Sequence, residues 1–182
     1  MMQANKKMLE RGLVQLYTGN GKGKTTAALG LALRAAGAGL RTMIVQFMKG
    51  QHYGELDAVK KLGDLILIEQ FGSPRFCMPD GKNFEEHYRF ARKALERSRA
   101  ALADHSREIL VLDEIVTALL FKLVSVDEIK DIIRSKPAAK ELVLTGRGAP
   151  QELVEMCDLV TEMNELKHYY QAGVEAREGI EF

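Results

Sequence analysis

The sequence predicts a one-domain α/β fold in which a mostly parallel sheet of five or six strands carries helices on both faces. Three observations support that expectation. Short apolar runs alternate with stretches of helical composition, the order that builds a parallel sheet from strand–helix–strand units. A glycine- and lysine-rich turn at Gly19–Thr26 falls between the first apolar run and the first helical stretch. The chain has 182 residues, enough for one medium-sized core, and shows no linker, repeat or low-complexity stretch.

The elements follow in order. Residues 13–18 (LVQLYT) read as a short buried strand, and residues 25–36, rich in Ala and Leu, as a helix stopped by Gly37 and Gly39. Residues 41–47 (RTMIVQF) form a second strand. A mostly helical connection leads to a third at 65–69. Residues 70–83 hold Gly72, Pro74, Pro79 and Asp80-Gly81, a long loop of the kind that serves function in compact α/β domains. Phe84, Tyr88, Ala91, Leu95 and Leu102 repeat at helical spacing and predict an amphipathic helix over 84–103. Arg89, Arg92, Lys93, Arg97 and Arg99 lie largely off that stripe and are expected on a solvated face. Further strands are expected at 108–113, 141–145 and 159–162, with helices at 126–133 and 153–156 between them.

Composition narrows the function classes. Apolar residues make up 46% and charged residues 28%, the mixture of a globular protein with a core. With 26 basic against 25 acidic side chains, the net charge of +1 gives no support to a nucleic-acid or membrane-surface role. No run approaches the roughly 20 apolar residues of a membrane span, and residues 1–11 lack the apolar centre of a signal peptide. Two cysteines, Cys77 and Cys157, show no metal spacing and read as free thiols of a cytoplasmic protein. Cys77 is expected to be inert. The expected organisation is a short polar segment over 1–12 and one domain over 13–182.

The turn Gly19-Asn20-Gly21-Lys22-Gly23-Lys24-Thr25-Thr26 sits where a phosphate loop must sit. Glycines let successive N–H groups face phosphate oxygens, and the following helix adds the positive end of its dipole. Lys24, expected as an exposed loop charge, can reach the outer phosphates, and the Thr25 hydroxyl can ligate magnesium. The first glycine of the general pattern is replaced by Thr18. A glycine-rich turn with incidental lysines is the alternative, and three glycines with a Gly-Lys-Thr-Thr helix start weigh against it. The apolar run 109–112 ends in Asp113-Glu114, which can hold magnesium or its water shell, orient a nucleophile, or cap the next helix.

In order and spacing, Glu10-Arg11-Gly12-Leu13, the loop Thr18–Thr26, Val45-Gln46-Phe47-Met48-Lys49-Gly50, Val111-Leu112-Asp113-Glu114, Leu144-Thr145-Gly146-Arg147-Gly148, Glu165-Leu166-Lys167-His168 and Gly179-Ile180-Glu181-Phe182 resemble the phosphate-loop ATP:corrinoid adenosyltransferases. The resemblance runs from about Glu10 to Phe182, and Thr18 in place of the first glycine is a feature of that family. It implies a P-loop NTPase-like fold. The implied reaction moves the 5′-deoxyadenosyl group of ATP to the Co(I) of a reduced corrinoid, in cobalamin synthesis or salvage, and releases triphosphate.

The resemblance also implies site roles. Gly19, Asn20, Gly21, Lys22, Gly23, Lys24, Thr25 and Thr26 would hold ATP through its triphosphate. Arg34 would lie on the nucleotide side and Arg147 would aim at phosphate. Thr25 and Glu114, with Asp113, would hold Mg2+. Lys24, Glu114 and Phe76 are the expected catalytic residues, Phe76 standing against the corrinoid in a loop where some members carry Phe and Trp; this chain has no Trp. Gln46 and Lys49 are expected at the rim, and His168 in a packing or corrinoid-amide contact. A homodimer and a flavoprotein reductant are implied as well. Without the resemblance the motifs fit a small-molecule kinase or nucleotide hydrolase too, or a binding module that holds both ligands without turnover.

Overall fold

In the computed structural model, which describes residues 9–78 and 81–182, six strands form one sheet. They are β1 (Val14–Thr18), β2 (Thr42–Phe47), β3 (Ile66–Phe71), β4 (Ile109–Asp113), β5 (Glu141–Thr145) and β6 (Leu159–Glu162). Their order is β3-β2-β4-β5-β1-β6 and every pair is parallel, so the sheet expected as mostly parallel is wholly so. The expected segment 1–12 lies mostly outside the described residues, as do Pro79 and Asp80 of the long loop.

Side-chain alternation explains why both faces are covered. In β4, Leu110 and Leu112 point into one apolar layer while Ile109 and Val111 point into the other. The second layer meets α1 (Lys24–Gly37), whose buried face is Ala28, Ala32, Ala35 and Ala36. Small side chains there bring the helix close to the strands, next to the short α2 (Gly54–Lys60). The first layer packs against α3 (Phe84–Ala103), α4 (Ile115–Leu120) and α5 (Val126–Arg134). Leu16, Leu110, Leu112, Leu142 and Val143 are fully buried, each contributing about 1.5–3 kcal/mol of transfer free energy.

Two expectations need correction. The basic side chains of α3 are not all on a solvated face: Arg97 makes a paired contact with Glu69 of β3 at 2.9 and 3.0 Å, and Arg92 binds Glu128 of α5. These half-buried arginines tie α3 to the sheet and to α5. The short helix expected at 153–156 instead occupies Gln151–Val154, termed α6, because Pro150 takes the N-cap position.

Strand register positions the site. Tyr17 of β1 pairs with Thr145 of β5, and Gln46 of β2 with Asp113 of β4. Thr18, Thr145, Asp113 and Gln46 therefore finish at one edge of the sheet, the carboxyl edge where α/β proteins bind ligands. β5 stands between the strand that leads into the Gly/Lys turn and the strand that ends in two carboxylates.

Candidate active site

Gly23 leads into α1 with φ 118°, a left-handed conformation that a side chain would oppose. The first half of the turn packs down on the end of β6. Gly21 N–H donates to Met163 O at 2.7 Å, and a Cβ on Gly19 would lie 2.4 Å from the same oxygen. Lys22, Gly23, Lys24, Thr25 and Thr26 line a cavity of about 700 Å³, inside the size range of small-molecule sites. Gly19 and Gly21 are buried and Asn20 is exposed, and none of the three lines that cavity.

Lys24 is not the exposed loop charge that its position suggests. Only 5% of it is accessible, and its ammonium donates to Gly19 O at 2.8 Å and Gly21 O at 2.7 Å. Two of its three donors thus hold the curl of the turn. Burial lowers its pKa first of all; Glu114 and Asp113 oppose that shift and Arg147 adds to it.

Asp113 is the centre of the site's polar network and is wholly buried. Its Oδ1 accepts from the Thr25 and Thr145 hydroxyls, both at 2.8 Å. Its Oδ2 accepts from Gln46 at 3.2 Å and lies 3.0 Å from Lys49 Nζ. Lys49 does line the cavity, as expected of a rim residue, while Gln46 is fully buried and stands beneath Asp113 instead. Burial works against the Lys49 cation, but Asp113, with Glu55 and Glu114, more than offsets it, so the lysine's pKa is raised.

Glu114 turns out of the sheet through a left-handed backbone at φ 62°. Its N–H donates to Thr145 Oγ1 at 2.9 Å, its carboxylate accepts from the Thr117 hydroxyl, and it lines the cavity. Non-glycine residues in this conformation cost of order 1 kcal/mol and cluster at working sites. Met48, just before Lys49, is a second, with φ 58°. Arg147 reaches the cavity from the loop after β5, on an exposed turn.

Residues from the chain's last segment form another wall. Lys22 Nζ donates to Ile180 O at 2.9 Å and pairs with Glu181 at 3.2 Å. Glu181 is also held by Arg177 and by the Tyr169 hydroxyl, which keep its carboxyl well below the usual range. Gly179 to Phe182 line the cavity, as does His168. The sequence carries no signal for the role of Glu181, since its pairing with Lys22 spans most of the chain and arises only in the fold.

Two expected residues stand apart. Arg34 is exposed in the last turn of α1 and does not line the cavity. Phe76 is 76% exposed and lies outside the cavity as well, with its ring edge-on to Phe121 at 6.2 Å beyond the end of α4. Cys77, its neighbour, is buried in the core and burial raises its thiol pKa, disfavouring the reactive thiolate.

The donor set suits a magnesium–phosphate complex. A hydroxyl and two carboxylates, all hard oxygens, meet at the carboxyl edge, while no group of three or more acidic, His or Cys side chains among the described residues could hold a metal alone. Magnesium typically takes few protein ligands and completes its shell with water and phosphate. No helix among the described residues is long and apolar enough to cross a membrane.

Comparison with known proteins fits this geometry. The model of the ATP:corrinoid adenosyltransferase family BtuR/CobO/CobP matches residues 10–182. A corrinoid adenosyltransferase of Escherichia coli K12 is 33% identical over 178 residues, covering 95% of this chain and 87% of that protein. One from a Sinorhizobium species is 36% identical over 181 residues, covering 95% and 81%. Corrinoid adenosyltransferase CobA of Salmonella typhimurium is 33% identical with the same coverage as the E. coli protein. With almost its whole length matched, and with its phosphate turn and paired carboxylates brought to one edge, this chain belongs to the ATP:corrinoid adenosyltransferase family.

Proposed function

We propose that the cavity between the Gly/Lys turn and segment 179–182 holds the triphosphate of ATP with magnesium while this corrinoid adenosyltransferase moves the 5′-deoxyadenosyl group to Co(I). The observation that carries the assignment is the convergence of Lys24, Thr25, Glu114 and Arg147 on one cavity from three separate strand ends.

The chemistry suits what lines it. Co(I) of the substrate is the nucleophile and ribose C5′ the electrophile, so the bond from C5′ to triphosphate breaks as the Co–C bond forms. No base is required. What the site must supply is stabilisation of a departing polyanion, and Lys22, Lys24, Lys49 and Arg147 all border the cavity. Its carboxylates are already engaged: Glu55 with Lys49, Glu181 with Lys22, and Glu114 with Thr117. Thr25 and Glu114 would hold magnesium, Asp113 orienting Thr25 from behind; the ion would neutralise charge on the leaving triphosphate. Leu29, Tyr53 and Ile180 give the cavity an apolar portion suited to the nucleoside. The corrinoid would lie outside, over the exposed side chains of Phe76 and Leu120.

A cytoplasmic setting, a homodimer and a flavoprotein that delivers Co(I) belong to the same reading and are supported by family membership. The deciding experiment is an anaerobic assay with ATP, magnesium and chemically reduced cobalamin, following the corrinoid spectrum and separating the phosphates. A light-sensitive alkylcobalt product with equimolar triphosphate is expected. ADP with unchanged corrinoid would point to a kinase or hydrolase.

A further inference from the structure

Thr117 lies one turn into α4, three residues beyond Glu114, and is half-buried. Its hydroxyl has two partners from different parts of the chain: the Glu114 carboxylate, and the backbone N–H of Arg147 at 3.0 Å. An amide N–H can only donate, so the hydroxyl oxygen accepts from Arg147, and its single proton goes to Glu114 Oε2. The direction of both bonds is thereby settled. A parallel arrangement exists below it, where Thr145 accepts from Glu114 N–H at 2.9 Å and donates to Asp113 at 2.8 Å.

The loop carrying Arg147 is pressed against this turn. Gly146 has φ 141°, and a Cβ there would lie 2.4 Å from Thr117 N, so the loop can approach α4 only through a glycine. One hydroxyl therefore joins a carboxylate at the end of β4 to an arginine loop at the end of β5, and both Glu114 and Arg147 line the cavity.

We propose that Thr117 is a positioning residue that holds the Glu114 carboxylate and the Arg147 loop in register, so that the two address the same triphosphate. The inference rests on the assignment of Glu114 to magnesium and Arg147 to phosphate. Thr117 itself does not line the cavity, so its effect passes through those two groups.

The test compares Thr117→Val, which keeps the shape and loses the hydroxyl, with Thr117→Ser, which keeps the hydroxyl. Inorganic tripolyphosphate is titrated by calorimetry with and without magnesium, and transfer is assayed alongside. In Thr117→Val the magnesium-dependent gain in tripolyphosphate affinity should fall about tenfold, the scale of one hydrogen bond to a charged group, and kcat should fall with it. The melting temperature should stay near wild type and Thr117→Ser should restore both readouts. A wild-type magnesium gain in Thr117→Val, or equal losses in Val and Ser variants, would overturn the role. Glu114→Gln is the control. If it keeps the full magnesium gain, the assignment of Glu114 fails and the positioning role falls with it. If it loses the gain while Thr117→Val does not, only the positioning role is lost.

Discussion

Lys22 Nζ and the Glu181 carboxylate stand 3.2 Å apart, joining the phosphate turn to a segment 159 positions further along the chain. Glu181 thus occupies one of the cations that a triphosphate would use in the proposed site, and it presents negative charge to that cavity. Glu181→Gln keeps the acceptor for Tyr169 but frees Lys22 from the ion pair. ATP and tripolyphosphate should bind this variant severalfold more tightly at most, a modest effect because Lys22 is substantially exposed. The salt dependence of ATP binding, measured by calorimetry, should steepen as Lys22 shifts to phosphate. Weaker binding would show that Glu181 matters for ordering the wall and not for occupying Lys22.

Lys24 has a double task, and its variant should show both. Lys24→Ala removes the cation proposed to stand beside the leaving group and also the two bonds that hold the carbonyls of Gly19 and Gly21. Transfer should fall by at least about 10²-fold, the loss typical of a removed charge-stabilising donor. The circular dichroism spectrum should not change, because the turn lies outside both apolar layers. Activity near wild type would remove the turn from the site.

The strands were legible because each is a short apolar run bounded by turn formers, and the longest helix because its stripe repeats at helical spacing. Strand order was not legible: each crossover has one hand but no stated length or direction across the sheet. α4 escaped because Ile115–Leu120 is apolar almost throughout and follows a strand directly, so no periodicity separates the two. The phosphate turn and the Asp113-Glu114 pair could be found by motif. The contacts of Gln46 and Lys49 with Asp113 could not be read, since contacts across more than 60 positions depend on β2 lying beside β4. The role of Arg34 rests on a matched position, which says nothing about where a helix face points; it falls in the last turn of α1 and does not line the cavity.

Lys49 gives the site a pH signature. Its folded pKa is raised, so its pairing with Asp113 stabilises fully below the unfolded lysine value of about 10.4 and is lost as pH rises through the higher folded value. Lys49→Met leaves Asp113 with hydroxyl and amide partners but no cation at its side. At pH 7 the variant should be less stable by about 3 kcal/mol, measured by urea unfolding. That gap should hold through pH 9 and narrow above about pH 10.4. A gap that stays constant to the alkaline limit would mean that the pair does not carry the stabilisation.

Phe76 is a large aromatic left 76% exposed in the loop after β3, with the Phe121 ring edge-on at 6.2 Å. An exposed ring contributes little to stability, so Phe76→Ala should change the melting temperature hardly at all. If the ring packs against the corrinoid and displaces its lower ligand, transfer to complete cobalamin should fall about tenfold, the scale of burying one such side chain. Corrinoids without a lower ligand should be affected far less. Phe121→Ala should show the same preference with a smaller loss, about threefold, because it acts through its edge contact with Phe76; as Phe121 also packs against the core, its melting temperature should fall as well. Measuring kcat and KM for both corrinoids in both variants checks the pair. Equal losses for the two corrinoids in Phe76→Ala would leave the ring as a general contact surface and would take lower-ligand displacement away from this loop.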